Sequence, residues 1–128
     1  MLRKRASAVI IRDEQILMVK ISDRGRSWWC LPGGTIEPGE TPEHAIVREL
    51  CEELNVQAVP RRRLYTVLMP DEVGVDYGIL VDLPTDVPTL GIDPMVVGWA
   101  WRSLDQARDS WQVEKVREAL ETGSDRVS

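Results

Sequence analysis

The stretch from Thr41 to Leu54 admits one local structure, and that structure constrains the rest of the chain. Thr41 is a good N-cap, Pro42 suits the first helical position, and Glu43 favours the positive end of a helix dipole. Asn55 follows, a residue that tolerates the left-handed conformation in which helices often end. At about 100° per residue, Ile46, Val47, Leu50, Cys51 and Leu54 share one side, which predicts a core-facing stripe. Glu49, Glu52 and Glu53, spaced i, i+3 and i+4, share the other side, so their side chains converge on one patch. Acids opposite an apolar stripe are usually a solvated face. Three on one turn, however, repel one another, and Arg48 compensates only in part.

Around this helix the chain reads as strands. The β-branched stretch Ala6 to Arg12 and the run Gln15 to Ile21 flank Asp13-Glu14, which predicts a hairpin. Ser22 to Ser27 reads as a polar loop carrying Arg24 and Arg26. Trp28 to Leu31 reads as a short aromatic strand ended by Pro32-Gly33-Gly34. Arg63 to Met69, Tyr77 to Leu83 and Val96 to Trp101 are further strands, and Leu104 to Glu121 is one or two helices. The chain shows no repeat and no low-complexity linker, so its 128 residues are expected to form one domain over 1–128.

Composition excludes several functions. A net charge of −5 argues against a sequence-independent grip on nucleic-acid polymers, which depends on Lys and Arg neutralising phosphates. No run is long enough to span a bilayer, so a membrane role is not expected. Cys30, Cys51 and His44 share no metal-ligand spacing, and the two thiols are expected to be reduced in a cytoplasmic protein. A small anionic substrate remains open if a divalent metal and a few local arginines receive it.

The acidic turn fits that demand. Mg²⁺ prefers oxygen ligands in octahedral geometry and keeps several waters, so two or three glutamates plus substrate oxygens complete its shell. Gly33 and Gly34, lacking side chains, let backbone groups approach a metal or a phosphate closely.

Read together, Gly34, Glu40 and Arg48-Glu49-Leu50-Cys51-Glu52-Glu53-Leu54-Asn55-Val56 resemble the signature of the Nudix hydrolases, and Leu31-Pro32-Gly33-Gly34 before them is also typical of that family. The one departure is Asn55 where the family usually has glycine. The resemblance implies an α/β/α sandwich with a mixed β-sheet. It also implies hydrolysis of the diphosphate linkage in a nucleoside diphosphate joined to another group. By position, Glu49, Glu52 and Glu53 would be metal ligands with the Gly33 carbonyl beside them. Arg48 would orient the acids and Glu40 would hold the site at the loop-to-helix junction. The cofactor implied is Mg²⁺, with Mn²⁺ as a substitute. The proton acceptor is open between Glu53, Glu49 and later acids: Asp71, Glu72, Asp76 and Asp93.

The size of the chain resembles nucleoside-triphosphate pyrophosphohydrolases of the MutT type. ADP-ribose or nucleotide-sugar cleavage is the alternative, as is a module that senses a nucleotide without cleaving it. Arg24 and Arg26 are candidate phosphate receptors, and Trp28 or Trp29 is a candidate for stacking on a base. Trp99 and Trp101 are expected to pack in the core. A homodimer is compatible with the resemblance. Replacing Glu53 by Gln is expected to abolish most activity and spare the fold, on the premise that this acid lies on an exposed face.

Overall fold

In the computed structural model, residues 2–70, 73–84, 87–107 and 110–122 are described. The elements run β1 (Arg3–Val9), β2 (Ile11–Arg12), β3 (Gln15–Asp23), β4 (Arg26–Cys30), β5 (Gly33–Thr35), α1 (Pro42–Leu54), β6 (Val59–Leu68), β7 (Gly74–Asp82), β8 (Val96–Ser103) and α2 (Trp111–Glu121).

One sheet has the order β5-β1-β7-β6; the β1–β7 pair is parallel and the others are antiparallel, so the sheet is mixed. In the second sheet β3 pairs with β2, β4 and β8, all antiparallel. Strand alternation then divides the core in two. Ala6, Ala8, Leu17, Val19 and Ile79 pack with Ala45, Ile46, Leu50 and Leu54 of α1. Val9, Ile16, Met18 and Tyr65 pack with Val113 and Val116 of α2. A helix therefore covers each side, and the α/β/α sandwich with a mixed sheet is the architecture observed. Trp99 and Trp101 pack against the first core, as expected for large aromatics.

Several sequence boundaries shift for identifiable reasons. The expected strand Ala6 to Arg12 is broken at Ile10, because β1 belongs to the first sheet and β2 to the second. The hairpin at Asp13-Glu14 forms, with both residues at positive φ (51° and 64°) as a two-residue turn of this hand requires. The expected loop Ser22 to Ser27 is mostly strand. Asp23 pairs with Arg26, which leaves only Arg24 (φ 51°) and Gly25 (φ 79°) as a second tight turn. Gly33-Gly34 does not merely end a strand; it begins β5, paired with Ser7 and Ala6 of β1. α2 starts at Trp111 rather than Leu104, capped by Ser110.

The helix α1 has the expected caps: Thr41 accepts from the His44 N–H, and Asn55 is left-handed at φ 55°. Its buried face is rotated from the expected one. Val47 is 40% exposed and Cys51 is exposed, whereas Glu53 is only 3% exposed. The cause is the ledge that β5 presents. A Cβ on Gly34 would stand 2.6 Å from the Glu49 carboxylate, so the bare glycine backbone leaves room for the flank bearing Glu49 and Glu53 to turn inward.

Candidate functional site

The ledge and the helix close one side of a cavity of about 320 Å³, lined by Arg5, Ile21, Trp28, Cys30, Gly33, Gly34, Thr35, Glu49, Glu53, Asp93 and Met95. Gly33 is required at its place. Its φ is 148°, and a Cβ there would lie 2.0 Å from the Ala6 carbonyl oxygen. Its N–H donates to Glu53 Oε1 at 2.9 Å and so fixes that buried carboxylate.

Asp93 arrives from the other side of the helix end. The C-terminal carbonyls of a helix lack partners within it. Here the N–H groups of Thr89, Gly91 and Asp93 donate to Leu54, Glu53 and Glu52 carbonyls. Gly91 lies so close to the helix that a Cβ would be 2.3 Å from the Glu52 carbonyl oxygen. The loop is thereby stitched along the last turn of α1, and carboxylate oxygens of Glu49, Glu53 and Asp93 come within 4.8 Å of one another.

Burial and mutual repulsion act on these acids. Burial pushes the Glu53 carboxyl up to about 8; the Gly33 N–H opposes this, and the nearby Glu49 adds to it. Burial also raises Glu49, against the pull of Arg48. The lining carries three carboxylates and one cation, Arg5. A close-set, oxygen-only, electronegative group of this kind suits a hard divalent cation such as Mg²⁺.

Arg48 does not line this cavity; it braces its wall. Its Nε and Nη2 donate to the two carboxylate oxygens of Glu40 at 2.8 and 2.9 Å, Nη1 donates to Glu49 at 2.9 Å and Glu52 at 3.3 Å, and Nη2 also reaches the Thr35 carbonyl. The Arg48 hydrogen bonds hold the Glu40 carboxyl down at about 2. Arg48 and Glu40 are thus joined to each other at the loop-to-helix junction beside the acids. Glu52 differs from expectation: it pairs with Arg48 and stands outside the carboxylate trio, where Asp93 is found instead.

The other expected residues separate. Trp28, 45% exposed, lines the carboxylate cavity and also a second cleft of about 310 Å³, formed with Arg3, Arg5, Trp29, Cys30, Met69, Ser110, Trp111 and Gln112. Trp29 is partly buried against the second core. Arg24 and Arg26 are not brought to either cavity. They sit at the β3–β4 turn, where the Arg24 side chain is 92% exposed. Of the later acids, Asp93 joins the trio. Asp76 is fully buried among hydrogen-bond donors and does not line the carboxylate cavity, and Asp71 and Glu72 lie outside the described residues. Arg5 was not anticipated; a basic residue at the start of a strand gives no local sign that a cavity will form beside it.

Comparison with known proteins gives the family of the chain. The family model described as NUDIX domain matches residues 1–122. A Bacillus subtilis (strain 168) protein, provisionally named an 8-oxo-dGTP diphosphatase, is 46% identical over 50 residues, 39% of this chain and 32% of that protein. The mouse (Mus musculus) diphosphoinositol polyphosphate phosphohydrolase 3-alpha is 41% identical over 58 residues, 43% of this chain and 35% of its own length. The matched segments thus span about a third of these relatives. Among solved structures, a MutT NUDIX hydrolase from Burkholderia pseudomallei superposes with a TM-score of 0.77 at 28% identity, covering 94% of this chain and 97% of that one.

Proposed function

Since this chain belongs to the NUDIX domain family, we propose that it is a metal-dependent hydrolase that cleaves the diphosphate linkage of a small nucleotide, with nucleoside triphosphates as the leading substrate class. The observation that carries this reading is the trio Glu49, Glu53 and Asp93, converging within 4.8 Å beside a side-chain-free glycine ledge, in a cavity that shares Trp28 with a tryptophan-lined cleft. The trio and the neighbouring Gly33 carbonyl would hold Mg²⁺, or Mn²⁺ in its place, with Glu52 one turn away. Bound there, the ion supplies Lewis acidity at phosphoryl oxygens and neutralises charge that builds up during displacement.

The chain's own residues do the rest. Gly33 N–H fixes Glu53, and Arg48 with Glu40 fixes Glu49, so the carboxylates keep their spacing without substrate. A water attacks one phosphorus of the diphosphate in line, the bond from that phosphorus to the bridging oxygen breaks, the bridging oxygen leaves with the departing phosphate group, and the water's proton passes to a carboxylate of this cavity. Trp28 borders both the carboxylate cavity and the cleft, a place from which its ring can stack on a base whose phosphates lie over the trio. The names of the relatives support diphosphate cleavage and differ in what is cleaved.

The test is a release assay over nucleoside triphosphates, oxidised nucleotides, ADP-ribose, nucleotide sugars, dinucleoside polyphosphates and diphosphoinositol phosphates, with Mg²⁺, with Mn²⁺ and with chelator. Metal-dependent release from nucleoside triphosphates is expected. Release only from ADP-ribose or nucleotide sugars would move the substrate class. No turnover, with a nucleotide still raising the melting temperature, would establish a sensing module instead.

A further inference from the structure

Arg5 occupies the one position common to both cavities that carries positive charge: with Trp28 and Cys30 it lines the carboxylate cavity and the tryptophan cleft. Its side chain is held from two directions. Nε donates to Ser7 Oγ at 3.1 Å and Nη2 donates to the Leu31 carbonyl at 3.0 Å. Ser7 in turn donates to Asp76 Oδ1 at 2.7 Å. Asp76 also accepts from Tyr65 at 2.7 Å and from Gln112 Nε2 at 3.2 Å, while Gln112 Nε2 donates to Ser7 at 2.8 Å and Gln112 Oε1 accepts from the Leu31 N–H at 3.0 Å. Ser7, Asp76 and Gln112 are all buried. A guanidinium has five N–H donors. The Arg5 side chain commits two nitrogens to this frame, and Nη1 makes no hydrogen bond among the described residues.

A substrate with its diphosphate over the trio and its nucleoside in the cleft spans the lining that the two cavities share, which is Arg5, Trp28 and Cys30. The other arginine at the wall, Arg48, is committed to Glu40, Glu49, Glu52 and the Thr35 carbonyl. Arg24 and Arg26 stand away at a hairpin tip. We propose that Arg5 is the substrate-phosphate receptor of this site, and that the buried Ser7–Asp76–Gln112 frame is the positioning device that aims it. The assignment rests on the diphosphate-cleaving reading of the same cavity and adds the residue that tells a phosphorylated ligand from a bare metal. A planar guanidinium fixed at two nitrogens loses little side-chain freedom when a third meets a phosphate oxygen, which favours arginine over lysine here.

The experiment is calorimetric binding to the whole chain, first of Mg²⁺ alone and then of imidodiphosphate, a non-hydrolysable diphosphate, in saturating Mg²⁺. Arg5→Ala is expected to weaken imidodiphosphate at least tenfold, Arg5→Lys less so, and Ser7→Ala severalfold, each leaving Mg²⁺ affinity within about twofold of the parent. A folded Arg5→Ala that binds imidodiphosphate as the parent does, or that loses Mg²⁺ affinity in equal proportion, would overturn the assignment; the second result would make Arg5 a brace for the Leu31–Gly33 segment. Thermal melts verify folding, and Arg5→Lys keeps the test decisive if the alanine variant is unstable. Turnover by the parent protein is scored separately: its absence removes the hydrolase reading, whereas unaltered imidodiphosphate binding in the variants removes only the role of Arg5.

Discussion

Among the described residues a fully buried acid and a partly buried group of acids are built on opposite plans. Asp76, on the α2 side, is fully buried, and both its carboxylate oxygens accept hydrogen bonds, from Ser7, Tyr65 and Gln112. Glu49, Glu53 and Asp93 gather at the end of α1 with their charges set against one another, and the Glu53 carboxyl is driven up to about 8. The first arrangement is complete within the chain and ties β1, β6, β7 and α2 together. The second is stable only at the cost of a proton or with a cation beside it. A saturated buried acid holds the fold, whereas an unsaturated group of acids is poised for a ligand.

Substitutions can break the contrast. Glu53→Gln keeps an oxygen for the Gly33 N–H and removes the charge, so turnover is expected to fall on the order of 100- to 1,000-fold with the fold retained. The structure alters the reason for that tolerance: Glu53 is buried, and it is the retained acceptor, not exposure, that spares the fold. A variant with parental turnover would remove Glu53 from the chemistry. Asp76→Ala should do the reverse. It strands the donors of Ser7, Tyr65 and Gln112 and should cost about 3 kcal/mol in denaturant unfolding, with Mg²⁺ affinity changed far less. A loss of Mg²⁺ affinity as large as the loss of stability would show that the two centres are not separate.

The pH dependence of the metal-free protein sharpens the same comparison. Glu53 has its folded pKa raised from 4.5 to about 8, so the native state holds an extra proton between those values. Its contribution to stability is fully present below the lower value and is lost as pH rises through the upper one. The slope is roughly 1.4 kcal/mol per pH unit at most. Urea unfolding from pH 5 to 9 should show this decline in chelator and a shallower one in Mg²⁺; identical slopes would contradict it. Smallest is Gly34→Ala, whose Cβ would push the Glu49 carboxylate aside and should lower kcat/KM roughly tenfold at nearly unchanged melting temperature.

What could be seen in the sequence was local. The helix α1, its Thr41 and Asn55 caps and the Asp13-Glu14 turn follow from residues a few positions apart. The rotation of the helix did not, because it depends on a bare Gly33-Gly34 ledge that exists only once β5 pairs with β1. Asp93 was one acid among several until the 89–93 backbone bonded to the helix end. Arg5 carried no signal, since its partner Leu31 and the Asp76 that holds its other partner, Ser7, are distant in the chain. Ser22-Asp23 and Arg26-Ser27 read as loop in the sequence because an exposed strand end is as polar as a loop; only Arg24-Gly25 between them is a turn.

The claim on which all of this depends is that the trio at the end of α1 is a divalent-metal site. Calorimetric titration of Mg²⁺ into the chelator-treated protein at pH 8, alongside Glu49→Gln and Asp93→Asn variants, tests it most directly. Saturable binding by the parent, weakened at least tenfold in each folded variant, is the predicted result. Absence of binding in the parent, or equal binding in all three proteins, would contradict the account.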